Sequence, residues 1–161
     1  MALYSTSNLN ATTPAQTNMT TTFKSVTGIA AATATLRRAF IYEFDVGASA
    51  VPNATDCEIV WDMSAQTAAG TPVVLTVTAL DQADAATGTV AGGNHSAEPT
   101  ITANSSRFAL AANQRASYRW VVAPGGPGEI VVPATNLAGY VIRAKSSTYA
   151  STVVSTILFR E

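Results

Sequence analysis

The chain reads as an all-β domain, a two-sheet antiparallel sandwich of the jelly-roll type, with an immunoglobulin-like sandwich as the alternative. Three observations predict this. Apolar and polar residues alternate with a period of two in segment after segment. Turn-forming residues punctuate those segments every 8–12 residues or so. No stretch carries a sustained apolar stripe at the 3.6-residue helical period. Long, uneven connections argue against a simple up-and-down barrel and for Greek-key crossings. A single cysteine rules out the Cys…Trp…Cys framework of the immunoglobulin variant.

Residues 1–19 read as an extended N-terminal arm. They are rich in Ser, Thr, Asn and Ala, include Pro14, and show neither period. The sandwich domain then spans residues 20–161. Phe23 and Ile29 bracket a Thr-containing strand. Phe40, Tyr42, Phe44 and Val46 alternate with Ile41, Glu43 and Asp45, which predicts a half-buried strand with the first set inward. Cys57, Ile59, Trp61 and Met63 alternate with Glu58, Val60 and Asp62. Val73, Leu75, Val77 and Ala79 alternate with Val74, Thr76 and Thr78 and read as one strand. Residues 81–98 read as a long connection, with a helical turn at 81–86 and then Gly88, Gly92 and Gly93. Short strands follow near Thr100–Thr102 and Phe108–Leu110. Tyr118, Trp120 and Val122 alternate with Ser117, Arg119 and Val121. A short strand at 129–132 is stopped by Pro133. Tyr140, Ile142 and Ala144 alternate with Val141, Arg143 and Lys145. Val153, Ser155, Ile157 and Phe159 alternate with Val154, Thr156, Leu158 and Arg160. Residues 47–53, 69–72, 123–128 and 136–139 supply Gly, Pro and Asn where turns are needed.

Charge is sparse. Only 12% of residues are charged, about half the usual share of a globular domain. Nine Lys and Arg against ten Asp and Glu leave a net charge of −1. So neutral a balance, without a basic stripe, argues against nucleic acid as a partner. A Thr- and Ala-rich, weakly charged surface points to one covered by neighbours. At 161 residues a single core is large enough to need neither disulfide nor metal. The one cysteine, Cys57, fits assembly in a reducing cytoplasm. The start lacks the basic and apolar regions of a secretory signal, and no apolar run approaches the roughly 20 residues of a membrane helix, so no membrane partner is expected.

Candidate chemistry is thin. Cys57 shares the apolar side of its strand with Ile59 and Trp61 and reads as a buried, inert thiol. His95, the one histidine, sits in a Gly-rich stretch and reads as a solvated loop residue. No zinc or calcium spacing accompanies it, so no metal and no cofactor are expected. Glu43 with Asp45, and Glu58 with Asp62, share outward faces of strands, but a glycosidase cleft needs aromatic walls and only 7% of residues are aromatic. An enzyme is not expected. Five N-x-Ser/Thr sequons, at Asn10, Asn18, Asn53, Asn94 and Asn104, are what chance gives in a chain this rich in Thr and Ser.

The residues that point outward to a partner are Arg107, Arg115, Arg119 and Arg143. Arginine forks pair with carboxylates and are enriched at protein interfaces. With them stand Val74, Val121, Val141, Val154 and Leu158, apolar side chains on the outward phase of their strands, and Tyr4 in the arm. A carbohydrate-binding or adhesion module is the rival reading. It would need exposed aromatics, for which Tyr4, Tyr149 and Trp61 are the candidates.

Residues 113–126 (NQRASYRWVVAPGG) and 129–135 (EIVVPAT), with 36–45 (LRRAFIYEFD) and 151–161 (STVVSTILFRE), resemble small structural proteins of tailed-bacteriophage virions. Specifically, the chain resembles the jelly-roll decoration, or cement, proteins of phage heads. The resemblance spans most of residues 22–161 and assigns no residue a role by position. It implies a non-enzymatic virion protein, assembled in the host cytoplasm, that binds the outside of the capsid. Its partners would be the major capsid protein and itself, as a homotrimer clamping adjacent capsomers. Another virion part, a head-fibre base or tail protein, is the alternative within that setting.

Overall fold

The computed structural model describes residues 1–9, 17–48 and 53–161. Among them there is no helix, and two antiparallel sheets pack face to face. The first sheet holds β1 (Leu3–Ser7), β2 (Thr17–Asn18), β4 (Ala39–Ala48), β7 (Val77–Ala79), β11 (Tyr118–Val121), β12 (Ile130–Val132) and β14 (Thr152–Arg160). The second holds β3 (Lys24–Ala31), β5 (Glu58–Ala68), β6 (Thr71–Leu75), β8 (Thr89–Ala97), β9 (Thr100–Ile101), β10 (Phe108–Asn113) and β13 (Gly139–Lys145).

Pairing runs from the outside of the sequence inward. β1 pairs with β14, β3 with β13, β4 with β11 and β5 with β10. A long hairpin paired in this way and rolled so that its strands distribute over two sheets is a jelly roll. The immunoglobulin-like alternative is thereby set aside. Residues 69–107 are an insertion between β5 and β10. Its β7 extends the first sheet beyond β1, and its β8 and β6 extend the second beyond β3.

The core lies between the sheets, where Phe44, Ile157 and Phe159 meet Ile29, Trp61 and Met63, all fully buried. Alternation puts them there, with two exceptions. The register of β14 on β4 breaks between Leu158 and Phe159, leaving Tyr42 as an extra residue. This β-bulge shifts the phase. Ile41, expected outward, is fully buried, and Phe40, expected inward, lies under the Arg160 guanidinium at 4.0 Å. A matching break on β3 leaves Val26 extra and buries it beside Thr27, which keeps the inward phase of Ile29. There the Ser155 hydroxyl donates to Thr27 Oγ1 at 2.7 Å and the Thr27 hydroxyl donates to the Ser155 carbonyl at 3.2 Å, joining the two sheets.

The N-terminal stretch corrects the expected arm. β1 is paired on both sides, with β14 and with β7. Asn8 prolongs it by imitating backbone: its Nδ2 donates to the Val153 carbonyl at 2.9 Å and its Oδ1 accepts from the Ser155 amide at 3.1 Å. Ser and Thr alternate there with Tyr4, and the polar composition masks a strand. Pro14 and the rest of 10–16 lie outside the described residues, as do positions 49–52 of the turn expected at 47–53. The expected connection at 81–98 is likewise corrected, because its second half is β8. The segment 73–79 is two strands, one in each sheet, separated at Thr76.

Two experiments follow from β1. A chain lacking residues 1–9 is expected to be unfolded or aggregated by circular dichroism and gel filtration, whereas a dispensable arm would leave both unchanged. Asn8→Ala orphans a buried carbonyl and a buried amide, and should lower urea-denaturation stability by about 2 kcal/mol or more.

Candidate functional site

A sandwich must end somewhere, and here both sheets end on the same side. β10 is the last main strand of the second sheet on that side; β11 and β12 lie end to end along β4 as the edge of the first. The inward residues of an end strand have a neighbour on one side only, so they stay partly open to solvent. Phe108, Leu110 and Trp120 are half-buried for this reason. They belong to a run of rings that crosses the gap between the sheets. Tyr118 stacks on Phe108 at 5.2 Å, Phe108 meets Phe44 edge-on at 5.0 Å, and Phe44 stacks on Trp120 at 5.2 Å. Such aromatic pairs add to the burial of their area.

Beside these rings opens a cavity of about 440 Å³, walled by Phe44, Phe108, Trp120, Ile130, Val131 and Tyr140 with Arg107 and Glu129 at its polar end. Arg107 Nε donates to the Tyr140 hydroxyl at 3.2 Å. Glu129 is fixed by a bidentate fork from Arg160, at 2.7 and 2.6 Å, and by the Gly125 amide at 2.8 Å. These bonds, the Arg160 ones foremost, outweigh burial and hold the Glu129 carboxyl below its ordinary value. Gly125 can present its amide because its φ of 80° is open to glycine. Around the rim Tyr118, Val121 and Val131 are 36%, 53% and 41% exposed.

The sequence-predicted partner residues divide. Arg107, Arg119 and Val121 come together at this open edge. Arg119 reaches Glu43 at 2.6 Å. Leu158, half-buried, continues the row of Val121 across the outer face of the first sheet, through Glu43, and Val154 lies farther along the same strand face. Arg115 stands in the turn after β10, held by Asp56 at 3.0 Å and the Asn53 carbonyl at 3.1 Å. Arg143 is on the outer face of the second sheet, forked onto Asp62 at 3.0 and 2.5 Å and stacked on Phe23 at 4.8 Å. Burial raises the Asp62 carboxyl, but bonds from Ser106, Ser64 and Arg143, with the Arg143 charge, bring it below its ordinary value.

Four expectations need correction. Val141 is 0% exposed, because the face it points to is folded over (below) and Gly28 leaves its methyls room to sink. Tyr4 is 3% exposed, stacked on Phe159, its hydroxyl donating to the Ala85 carbonyl at 2.8 Å. Tyr149 and Trp61 are also core residues, so none of the three aromatics proposed for a glycan surface is available. His95 is buried on β8 rather than solvated in a loop. Val74, by contrast, is 77% exposed.

Sequence reasoning missed Phe108, Tyr118, Trp120 and Val131 as surface. Alternation marks Phe108, Tyr118 and Trp120 as core-facing, the unbroken run at 130–132 gives Val131 no phase, and nothing local tells an end strand from an inner one. Three of the four carboxylates weighed as acids have structural duties: Glu43 and Asp62 carry arginines, and Asp45 accepts the Thr156 amide at 3.0 Å, while Glu58 is exposed at the start of β5. Cys57 is buried, its Sγ 3.2 Å from Asn53 Nδ2. Among the described residues, no group of three or more His, Cys, Asp or Glu could hold a metal ion, and no helix is long and apolar enough to cross a membrane. In comparisons with known proteins, the chain matches no family model, no curated protein and no solved structure.

The Glu129–Arg160 fork has a pH signature. The folded carboxyl titrates below its ordinary value of 4.5, so its contribution is complete above that value and is lost as pH falls through the folded one. Glu129→Gln is therefore expected to be less stable than the parent at neutral pH, with the gap closing below about pH 4 in thermal melts taken across pH.

Proposed function

We propose that this chain is a structural virion protein of the capsid-decoration kind, non-enzymatic, which binds the outside of a phage capsid and stabilises contacts between capsomers. The observation that carries the reading is the open aromatic edge. A lone soluble domain gains nothing by leaving Tyr118, Val121 and Val131 in water beside a ring-lined cavity, whereas a subunit interface uses such a surface as its core. Edge strands add unpaired backbone groups that another chain can meet. The arginines support it too. Arg119, Arg143 and Arg160 are turned onto the molecule's own carboxylates, so little charge stands between this body and a neighbour.

On this reading the open edge, continued by Val154 and Leu158 on the outer face of the first sheet, is the contact between copies in a homotrimer. The trimer then engages the major capsid protein. Three weak contacts on one rigid body raise avidity by roughly 10²–10⁴ over one, and binding only the assembled shell stabilises that shell by mass action. A second reading, glycan binding, is favoured by one feature: Trp120 and Tyr140 wall the same cavity as Arg107. A glycan array probed with the protein separates the two.

Light scattering of the purified protein should give a mass three times 16.6 kDa. The double substitution Tyr118→Asp, Val131→Asp should give a folded monomer that no longer co-sediments with capsids. A parent protein that is monomeric at micromolar concentration and ignores capsids would sink the proposal.

A further inference from the structure

The two-residue link of Ala69 and Gly70 joins β5 to β6, yet these strands stand four places apart in their sheet. Four spacings of about 4.8 Å make roughly 19 Å, while three residue steps reach at most about 11 Å. The second sheet must therefore curl, bringing β6 round toward the end of β5 and enclosing part of its own outer face. Small residues allow it. Gly28 pairs with Gly92, and a Cβ at Gly92 would stand 2.5 Å from Pro72.

Inside the curl is a cavity of about 220 Å³. Its walls are almost wholly apolar, with Pro72, Val74, Val90 and Leu137 among them, and only two polar side chains, Gln66 and His95, reach in. Both are more than nine-tenths buried, and each presents an atom without a hydrogen-bond partner, Gln66 Oε1 and His95 Nδ1. Their other ends are spoken for. Gln66 Nε2 donates to the Leu137 carbonyl at 3.4 Å, and the His95 ring hydrogen-bonds the backbone of Ala69. A neutral imidazole that donates from one nitrogen presents a lone pair at the other. Burial, foremost, keeps His95 below its ordinary value, against the pull of Glu98 and the Ala69 bond and with the help of Lys24. Two buried acceptors thus face one apolar space. Backbone strain borders it as well: Leu137, at φ 56°, and Asn94, at φ 44° beside His95, are two of the three non-glycine residues in the left-handed region among those described.

We propose that this cavity binds an uncharged aromatic group carrying an N–H or O–H donor, the indole or phenol side chain of a partner protein. A cation would enter without a carboxylate in the wall to meet its charge. An aliphatic or phenyl group would leave both acceptors buried and unpaired. The volume lies under the roughly 300 Å³ where sites for drug-sized ligands begin and suits one side chain. The exposed rim of Val74 and Val90 gives the rest of the partner a surface to lie on.

The chain's one histidine makes the test direct, since its imidazole nitrogens give a single set of signals in a long-range ¹H–¹⁵N spectrum. Titration with indole should move the His95 Nδ1 resonance saturably. 1-Methylindole, similar in shape but without the donor, should bind at least about tenfold more weakly. Gln66→Leu should weaken indole similarly, with its melt confirming the fold; should that variant not fold, the two probes on the parent protein still decide. Equal binding of the two probes, or an Nδ1 signal that neither moves, would overturn the proposal and leave the acceptors to water. An acetylated, amidated Ala-Trp-Ala peptide should bind at least as well as indole; if indole enters and the peptide does not, a partner's side chain is not the occupant. Tyr118→Asp, Val131→Asp should leave indole binding unchanged, so this site and the open-edge interface fail or stand separately.

Discussion

Any two-sheet sandwich has two flanks at which hydrogen bonding stops and the core meets water, and the structure of this chain follows from treating its flanks differently. On one side the insertion between β5 and β10 lays β7 beyond β1 and β8 with β6 beyond β3, and the short Ala69–Gly70 link then forces the second sheet to curl. On the other side the insertion adds only the two-residue β9, beside the far end of β5, and β10 and β11 end their sheets over half-covered rings. The curl buries Val141, Ser64 and Gln66 on what would otherwise be an outer face and creates the small cavity with its two acceptors. The bare flank creates the large aromatic one. Both candidate sites are consequences of where strands were added and where they were not.

Electrostatics reinforces this body more than it advertises it. Asp62 with Arg143 and Glu129 with Arg160 are ion pairs with little exposure, each supported by further donors and by an aromatic ring under the guanidinium. Such pairs gain little net stability over an apolar replacement, yet breaking one leaves a buried charge uncompensated. Their effect is to pin geometry: Arg160 and Glu129 tie β14 to the chain entering β12, which forms one wall of the aromatic cavity. A sequence with so few charges commits a large share of them to such ties, and the surface that remains is close to neutral.

Much of the fold was legible because one face of each long strand is buried. β4, β5, β13 and β14 announce themselves by alternation, and the outward residues Arg119, Val121 and Leu158 follow from the same phase. The bulges at Tyr42 and Val26 were not legible, since an extra residue leaves no compositional mark, and so Ile41 and Phe40 exchanged roles. β1 and β8 were hidden by composition. The alternating partners of Tyr4 are Ser and Thr, and β8 contains Gly92 and Gly93, whose small size serves close packing rather than a turn. The sites were harder still. Tyr118 and Trp120 look like core until the strand order shows that β11 is an end, and His95 looks solvated until the curl covers it. Strand order and curl are properties of the whole chain, and no local window contains them.

The two sites lie toward opposite ends of the second sheet's strand order, with β10 at one end and β6 at the other. A rigid body with contacts at both ends can touch two neighbours at once without ordering a flexible linker, so the cost of holding the second contact in place is met when the domain folds. Flexible tethers achieve the same reach only by spending conformational entropy at each binding event. A jelly roll whose cross-sheet ties include Thr27 with Ser155 supplies that stiffness from within. On these two proposals, the separation of the contacts is set by the curl that brings β6 back toward the end of β5. Lengthening or shortening the insertion that carries β6 to β8 would then alter the spacing, and even the existence, of the second contact while the eight paired strands of the jelly roll kept the first in place.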